Sequence, residues 1–174
     1  VIHNKKVNTT LTKNNIRFAT IEDIPSWMEL LRLVVDGYPV LDETDYLHKL
    51  KICIQNKQAL VLKDGDLLIG ALAFSIPPCC IEFLGIHPQY RKRGIQKFFL
   101  DALIEDYYPE QDICITTYRK GDRADTGYRK ELQKLGFAER ELLIEFGYPT
   151  QRFVLTAKCS ETNDKRLSSN KTEI

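Results

Sequence analysis

The sequence predicts an α/β fold, a mixed sheet of about seven strands with about four helices on its faces. Three observations carry that expectation. Short apolar runs and amphipathic stretches follow one another in the order β, α, α, β, β, β, α, β, α, β, β. An Asp-Gly pair separates two of the apolar runs, as in a hairpin. At IEFLGIHPQYRKRGIQKFFLDALIED a strand empties through a basic, glycine-bearing turn directly into a helix.

In chain order, residues 1–14 are polar and unpatterned and are expected to be flexible. Ile16 to Ala19 reads as a strand. Asp23 suits a helix N-cap with Pro25 just inside, and Ile24, Trp27, Met28, Leu31 and Val35 mark one face of the helix that follows. Asp36, Gly37, Tyr38 and Pro39 end it. A second helix, Thr44 to Gln55, carries Leu47, Leu50 and Ile54. Ala59 to Lys63 and Leu68 to Ser75 form a hairpin about Lys63, Asp64, Gly65 and Asp66, and Pro77 and Pro78 close it. Ile81 to Ile86 is the strand that feeds the basic turn, and Ile113 to Thr117 is the next. Thr126 to Lys134 is helical and is ended by Gly136. Leu142 to Phe146 and Arg152 to Ala157 read as two last strands joined by Gly147, Tyr148, Pro149 and Thr150. Residues 158–174, rich in Ser, Thr, Asn and Lys, are expected to be a polar flexible tail.

The composition, 43% hydrophobic and 28% charged over 174 residues, is that of a chain able to bury one core. Twenty-five Lys and Arg against 24 Asp and Glu leave a net charge of +1, too balanced for bulk attraction to nucleic acid or to an anionic membrane. No run approaches the ~18 apolar residues of a membrane span, and VIHNKKVNTTLTKNN lacks the apolar core of a signal peptide. A cytoplasmic location is expected. Cys53, Cys79, Cys80, Cys114 and Cys159 form neither an even set nor a CxxC pair, so they read as reduced thiols rather than a disulfide framework or a zinc site.

On physical grounds the basic turn reads as an anion site, or else as a solvated basic turn that caps an ordinary helix. The first four N–H groups of a helix have no partner within it, and the helix dipole adds roughly half a positive charge there. A phosphate answers both. Gly94 keeps side chains clear of the backbone, and Arg91, Lys92, Arg93 and Lys97 supply charge. Ile95, Phe98, Phe99, Ala102 and Leu103 then give the helix one buried face.

The run Ile86, His87, Pro88, Gln89, Tyr90, Arg91, Lys92, Arg93, Gly94, Ile95 resembles the acyl-CoA signature of the GNAT superfamily of N-acyltransferases. That signature is a valine-type residue, x-Pro, then Arg/Gln-x-x-Gly-x-Gly/Ala. IRFATIEDIPSWMELL is similar to the family's first strand and helix, and YRKELQKLGF to its fourth helix, so the resemblance spans residues 15–157. One departure is Gln96, where the family has glycine or alanine. Its side chain either crowds a pyrophosphate or donates a hydrogen bond to it.

The resemblance implies acetyl-CoA as acyl donor, no metal, and a small-molecule or peptide amine as acceptor. It implies that the fourth and fifth strands splay and that the pantetheine arm pairs with Leu84, Gly85 and Ile86. Gly85 is consistent with close backbone approach or a bulge, or is simply tolerated in the strand. The phosphates would lie on Arg91, Lys92, Arg93, Gly94, Ile95 and Gln96. Asp125 or Thr126 falls near a pantetheine-touching asparagine of the family, and either also suits a helix N-cap.

For the chemistry, Glu82 is the candidate to assist amine deprotonation, unless it merely faces solvent. The tyrosine that many family members use as acid is replaced here by Leu132. Tyr128, one helical turn or about 5.4 Å earlier, and Tyr118, after the fifth strand, are the remaining contenders. A thiol of pKa about 8.5 also leaves without a protein acid. The loop Asp36 to Tyr46, with Asp42, Glu43 and Asp45, suits a cationic amine, or else the acids serve a helix N-terminus. The expectation is an N-acetyltransferase, monomer or homodimer. A non-catalytic acetyl-CoA-binding sensor is the alternative.

Overall fold

In a computed structural model, residues 10–34, 42–107 and 110–157 are described. Seven strands form one sheet: β1 Arg17–Phe18, β2 Ala59–Asp64, β3 Leu67–Ser75, β4 Cys79–Ile86, β5 Ile113–Tyr118, β6 Ala138–Glu145 and β7 Tyr148–Leu155. Their order is β1-β2-β3-β4-β5-β7-β6, antiparallel except for the parallel pair β4 and β5. The helices are α1 Ile24–Val34, α2 Glu43–Gln55, α3 Ile95–Ala102 and α4 Tyr128–Lys134. This is the mixed α/β sandwich the sequence predicts.

Period-two alternation in the central strands divides the core between the two faces of the sheet. On one face Leu60, Leu62, Leu72 and Phe74 meet Phe99, Leu103 and Leu132 from α3, its continuation and α4. On the other, Ala59, Val61, Ala71 and Ala73 meet Trp27, Leu30, Leu31, Leu50 and Ile54 from α1 and α2. The small alanines on the second face let α1 lie close to the sheet, and fully buried Trp27 donates its indole N–H to Tyr46 at 2.9 Å. Burial pushes the Tyr46 phenol up to about 12.

Several local expectations are corrected. A short 3-10 turn, Ile21–Asp23, precedes α1, and Asp23 does not cap the helix in the usual sense. Its buried carboxylate accepts from Thr20 N and both Arg17 nitrogens and pairs with Lys63 at 2.9 Å, tying α1 to β1 and β2. The last hairpin turns at Phe146 and Gly147, with φ of 52° and 76°, so Tyr148, Pro149 and Thr150 belong to β7 and not to a loop. Two successive left-handed residues make the tight turn whose twist suits a hairpin. β6 begins at Ala138, four residues before the apolar run that the sequence exposes, because Ala138 and Glu139 already pair with Val154 and Phe153. At the front, Lys13 pairs with Glu105 and Asp106. The expected end of α1 at Asp36 to Pro39 lies outside the described residues.

Candidate active site

β4 and β5 pair only at Cys79 with Ile113, Cys80 with Cys114 and Ile81 with Ile115. Beyond those rungs the ladder stops. β4 continues to Ile86 and β5 to Tyr118, each held on its far side by β3 or β7. Among the described residues the edge of β4 that faces β5 is therefore without a strand partner at Leu84, Gly85 and Ile86, and its backbone groups demand one. Leu84 is half-buried and Gly85 and Ile86 are buried.

Glu82 sits where the β3–β4 ladder slips. Ala73 pairs with Phe83 and Phe74 with Ile81, so Glu82 is the extra residue of a β-bulge. A bulge re-aims one side chain, and here it presents the Glu82 carboxylate to solvent on the α1–α2 face, where Ser75 Oγ donates to it at 2.8 Å. Cys53 of α2 lies nearby, its thiol pushed up by burial and, secondarily, by the charge of Glu82. The bulge falls at Glu82 rather than at Gly85. Gly85 is instead required by packing: a Cβ there would lie 2.6 Å from the Phe83 ring and 3.3 Å from Val34.

The basic turn leads from β4 into α3 through Gly94, which takes the N-cap position with φ 76° and offers no side chain to the helix start. Ile95 is anchored in the core, Gln96 is half-buried, and Arg91, Lys92 and Arg93 are exposed. Tyr90 fixes the turn to the β2–β3 hairpin by donating to Asp64 at 2.7 Å, and Arg93 stacks over the Tyr90 ring at 4.7 Å. A Cβ at Gly94 meets nothing within 4 Å, so the backbone is open to an incoming group. Uncapped N–H groups, three exposed cations and an open glycine fit a phosphate.

The tyrosine contenders separate by face. Ile113 and Ile115 point into the α3 cluster, so Tyr118, of opposite parity on β5, points to the α1–α2 face together with Glu82. Its ring meets Tyr148 at 6.0 Å, and the Tyr148 hydroxyl donates to Asp122 at 2.7 Å. Tyr128 packs against the α3 cluster on the other face. Leu132, where the resemblance leads to the expectation of a tyrosine, is 2% exposed in that same core.

The start of α4 also differs from expectation. The helix begins at Tyr128 after Gly127, φ 107°, not at Thr126. Asp125 still serves the turn by accepting from Gly127 N at 3.1 Å and Arg129 N at 3.4 Å, while Thr126 is exposed. The carboxylates between α1 and α2 that lie within the described residues are committed locally. Asp42 caps α2 through Thr44 N and Asp45 N, Glu43 pairs with Arg32, and Asp45 with Lys49. Residues 36–41 of the loop between those helices lie outside the described residues.

Two features escaped the sequence. Arg129 is 5% exposed and donates to Tyr118 O at 2.6 Å, to Gln151 Oε1 at 2.8 Å and to Glu139 at 2.6 Å, with its guanidinium over Phe153. It thereby clamps the end of β5 to α4, β6 and β7. The signal was an arginine one turn before Leu132 on the apolar stripe of a short helix. The second is a disulfide between Cys80 and Cys114, Cα atoms 4.5 Å apart, at the middle of the three rungs that join β4 to β5. This corrects the expectation that both are reduced. Separation by 34 residues hid the pair until the strands aligned.

By sequence, no family model and no curated protein matches the chain. By structure, it is similar to a GNAT-family acetyltransferase from Bacillus cereus, with a TM-score of 0.65 at 17% identity over 83% of this chain and 97% of that one. The ribosomal-protein-S18-alanine N-acetyltransferase of Escherichia coli gives 0.64 at 12% identity, over 84% and 96%. A GNAT-like decarboxylase, GphF, in complex with isobutyryl-CoA gives 0.58 at 9%, over 81% and 98%. The chain has the GNAT acetyltransferase fold.

Proposed function

We propose that this protein is a GNAT-family N-acetyltransferase that moves an acetyl group from acetyl-CoA to a primary amine, either a small amine or a peptide amino terminus. The observation that carries the proposal is the unpartnered edge of β4, which links the Glu82 bulge at one end to the open Gly94 turn at the other. An extended pantetheine arm answers an unpaired strand edge as another strand does. In this reading Leu84, Gly85 and Ile86 hydrogen-bond the arm, and Arg91, Lys92, Arg93 and the N–H groups of Ile95 and Gln96 hold the phosphates.

Glu82, directly or through a water, takes a proton from the acceptor ammonium. The neutral nitrogen attacks the thioester carbonyl, the C–N bond forms as the C–S bond breaks, and the CoA thiolate leaves. Tyr118, on the same face as Glu82, supplies the proton to the sulfur, and its phenolate takes the second proton from nitrogen as the adduct collapses to the amide. A second reading, a CoA-binding sensor without turnover, is favoured by the buried Leu132 in place of the usual tyrosine.

Release of free thiol from acetyl-CoA across a panel of amines and peptides, with calorimetric binding alongside, separates the two. Thiol release with any acceptor supports the enzyme. Saturable binding with no release supports the sensor, and absence of binding overturns both. The proposal includes a cytoplasmic location. The Cys80–Cys114 bond pulls the other way, because disulfides are rare in reducing compartments. Alkylation of protein quenched directly from cells tests it. A reduced chain reacts at all five cysteines, and the disulfide removes that pair from the reactive set.

A further inference from the structure

The β6–β7 hairpin presents an apolar stripe to solvent. Leu142, Ile144 and Phe146 are 60%, 72% and 104% exposed, and Tyr148 across the turn is 44% exposed. Among the described residues β6 is the terminal strand of the sheet, hydrogen-bonded to β7 on one side only. A free edge bearing apolar side chains is a template for another strand, which soluble proteins ordinarily blunt with charge or proline. Phe146 adds a second oddity. It holds φ 52° in the turn, a conformation that favours Gly, Asn or Asp, and its ring is wholly in water. Both are unfavourable for an isolated chain.

We propose that β6 pairs antiparallel with β6 of a second copy about a two-fold axis through Ile144. A two-fold axis perpendicular to the sheet pairs only residues that share a face, so few registers exist. Centred on Leu143, Glu141 opposes Glu145 of the other copy twice over. Centred on Glu145, that residue opposes itself. Centred on Leu142, the ladder runs into the bulge between Glu139 and Leu142. Centred on Ile144, the isoleucine meets its own copy, Leu143 opposes Glu145 on both sides so that no like charges are opposed, and the Phe146 ring at each hairpin turn lies beside Leu142 of the other copy. Charge and pleat thus select one register, and that register covers the three most exposed apolar side chains of the hairpin. The bulge ends the ladder at Leu142, so the pairing is short and the dimer is concentration-dependent.

Sedimentation velocity of the full chain from low to high micromolar concentration is expected to show a monomer–dimer equilibrium. Ile144→Glu and Phe146→Glu weaken it about tenfold or more while leaving the melting temperature near that of the parent, since both side chains are exposed. Ile144→Cys cross-links to its own copy under mild oxidation, because directly opposed Cβ atoms lie about 5 Å apart. Leu67→Cys, an exposed position on the β2–β3 hairpin, does not. A chain that is monomeric throughout, a dimer indifferent to Ile144→Glu, or equal cross-linking of the two cysteine variants overturns the proposal.

Discussion

Ser75 on β3 donates a 2.8 Å hydrogen bond to Glu82, the extra residue of the β4 bulge. The bond holds the carboxylate over the α1–α2 face at the point where β4 and β5 part. If Glu82 is the base, Glu82→Gln keeps the shape and removes the proton acceptor. Turnover is expected to fall by about 10² to 10⁴ with acetyl-CoA affinity unchanged. Ser75→Ala leaves the charge and removes one hydrogen bond, so its cost is about 1 kcal/mol in the barrier. Thiol-release kinetics beside calorimetry read both, and a Glu82→Gln variant with full turnover sinks the assignment.

Tyr118 and Tyr128 are distinguished by the face of the sheet each occupies. Tyr118→Phe is expected to lower kcat, most strongly for a weakly acidic thiol leaving group, and Tyr128→Phe to leave kcat within about twofold. Steady-state kinetics on both variants decide the matter. Equal, unchanged kcat values mean that the thiolate leaves unaided.

Gly94→Glu puts a carboxylate at the open N-cap of α3 and forces a side chain into φ 76°. Acetyl-CoA binding is expected to fall below detection by calorimetry, because like charge meets the phosphates at close range. The backbone strain costs about 1 kcal/mol, so the fold survives and circular dichroism is unchanged.

Arg129→Met fills the same space but leaves Gln151 Oε1 and the Tyr118 carbonyl without their donor. Loss of a buried, charge-assisted cluster is expected to destabilise the protein by about 3 kcal/mol, read as a lower urea midpoint. Arg129→Lys recovers only part of this, since an ammonium cannot reproduce the guanidinium fork.

Asp23 governs the acid limb of stability. Burial raises its affinity for a proton, but Arg17, Thr20 N and Lys63 together outweigh that and hold the carboxyl well below the usual range. A carboxyl depressed in the folded state stabilises fully above its unfolded value of about 4, and that contribution is lost as pH falls below it. Urea unfolding is expected to show wild-type stability dropping from pH 4 downward. Asp23→Asn is less stable at pH 7 and loses less on acidification. An unchanged pH slope in Asp23→Asn contradicts the linkage.

Much of the site was legible because its signals are local. Gly94, the run of cations and the apolar spacing of Ile95, Phe99 and Leu103 lie within about three helical turns, so spacing alone assembles the turn into α3. The hairpin at Gly65 is equally local. Three of the misses share one physical origin, which is partners distant in the chain. Asp23 looked like a cap until Lys63, forty residues on, claimed it. Cys80 and Cys114 looked unpaired until two strands ran in parallel. Arg129 drew no assignment from the sequence, because only β7 brings Gln151 and Phe153 against it.

By itself the sequence determined the class of fold, the order of its elements and the basic, glycine-bearing turn that leads into α3, because hydrophobic period and glycine conformation act over a few residues. The tertiary structure alone decided where β4 and β5 part, that the bulge falls at Glu82 rather than Gly85, and that Tyr118 and not Tyr128 shares the face of Glu82. Those are matters of register and parity between strands, and a one-residue slip that no local pattern records reverses them.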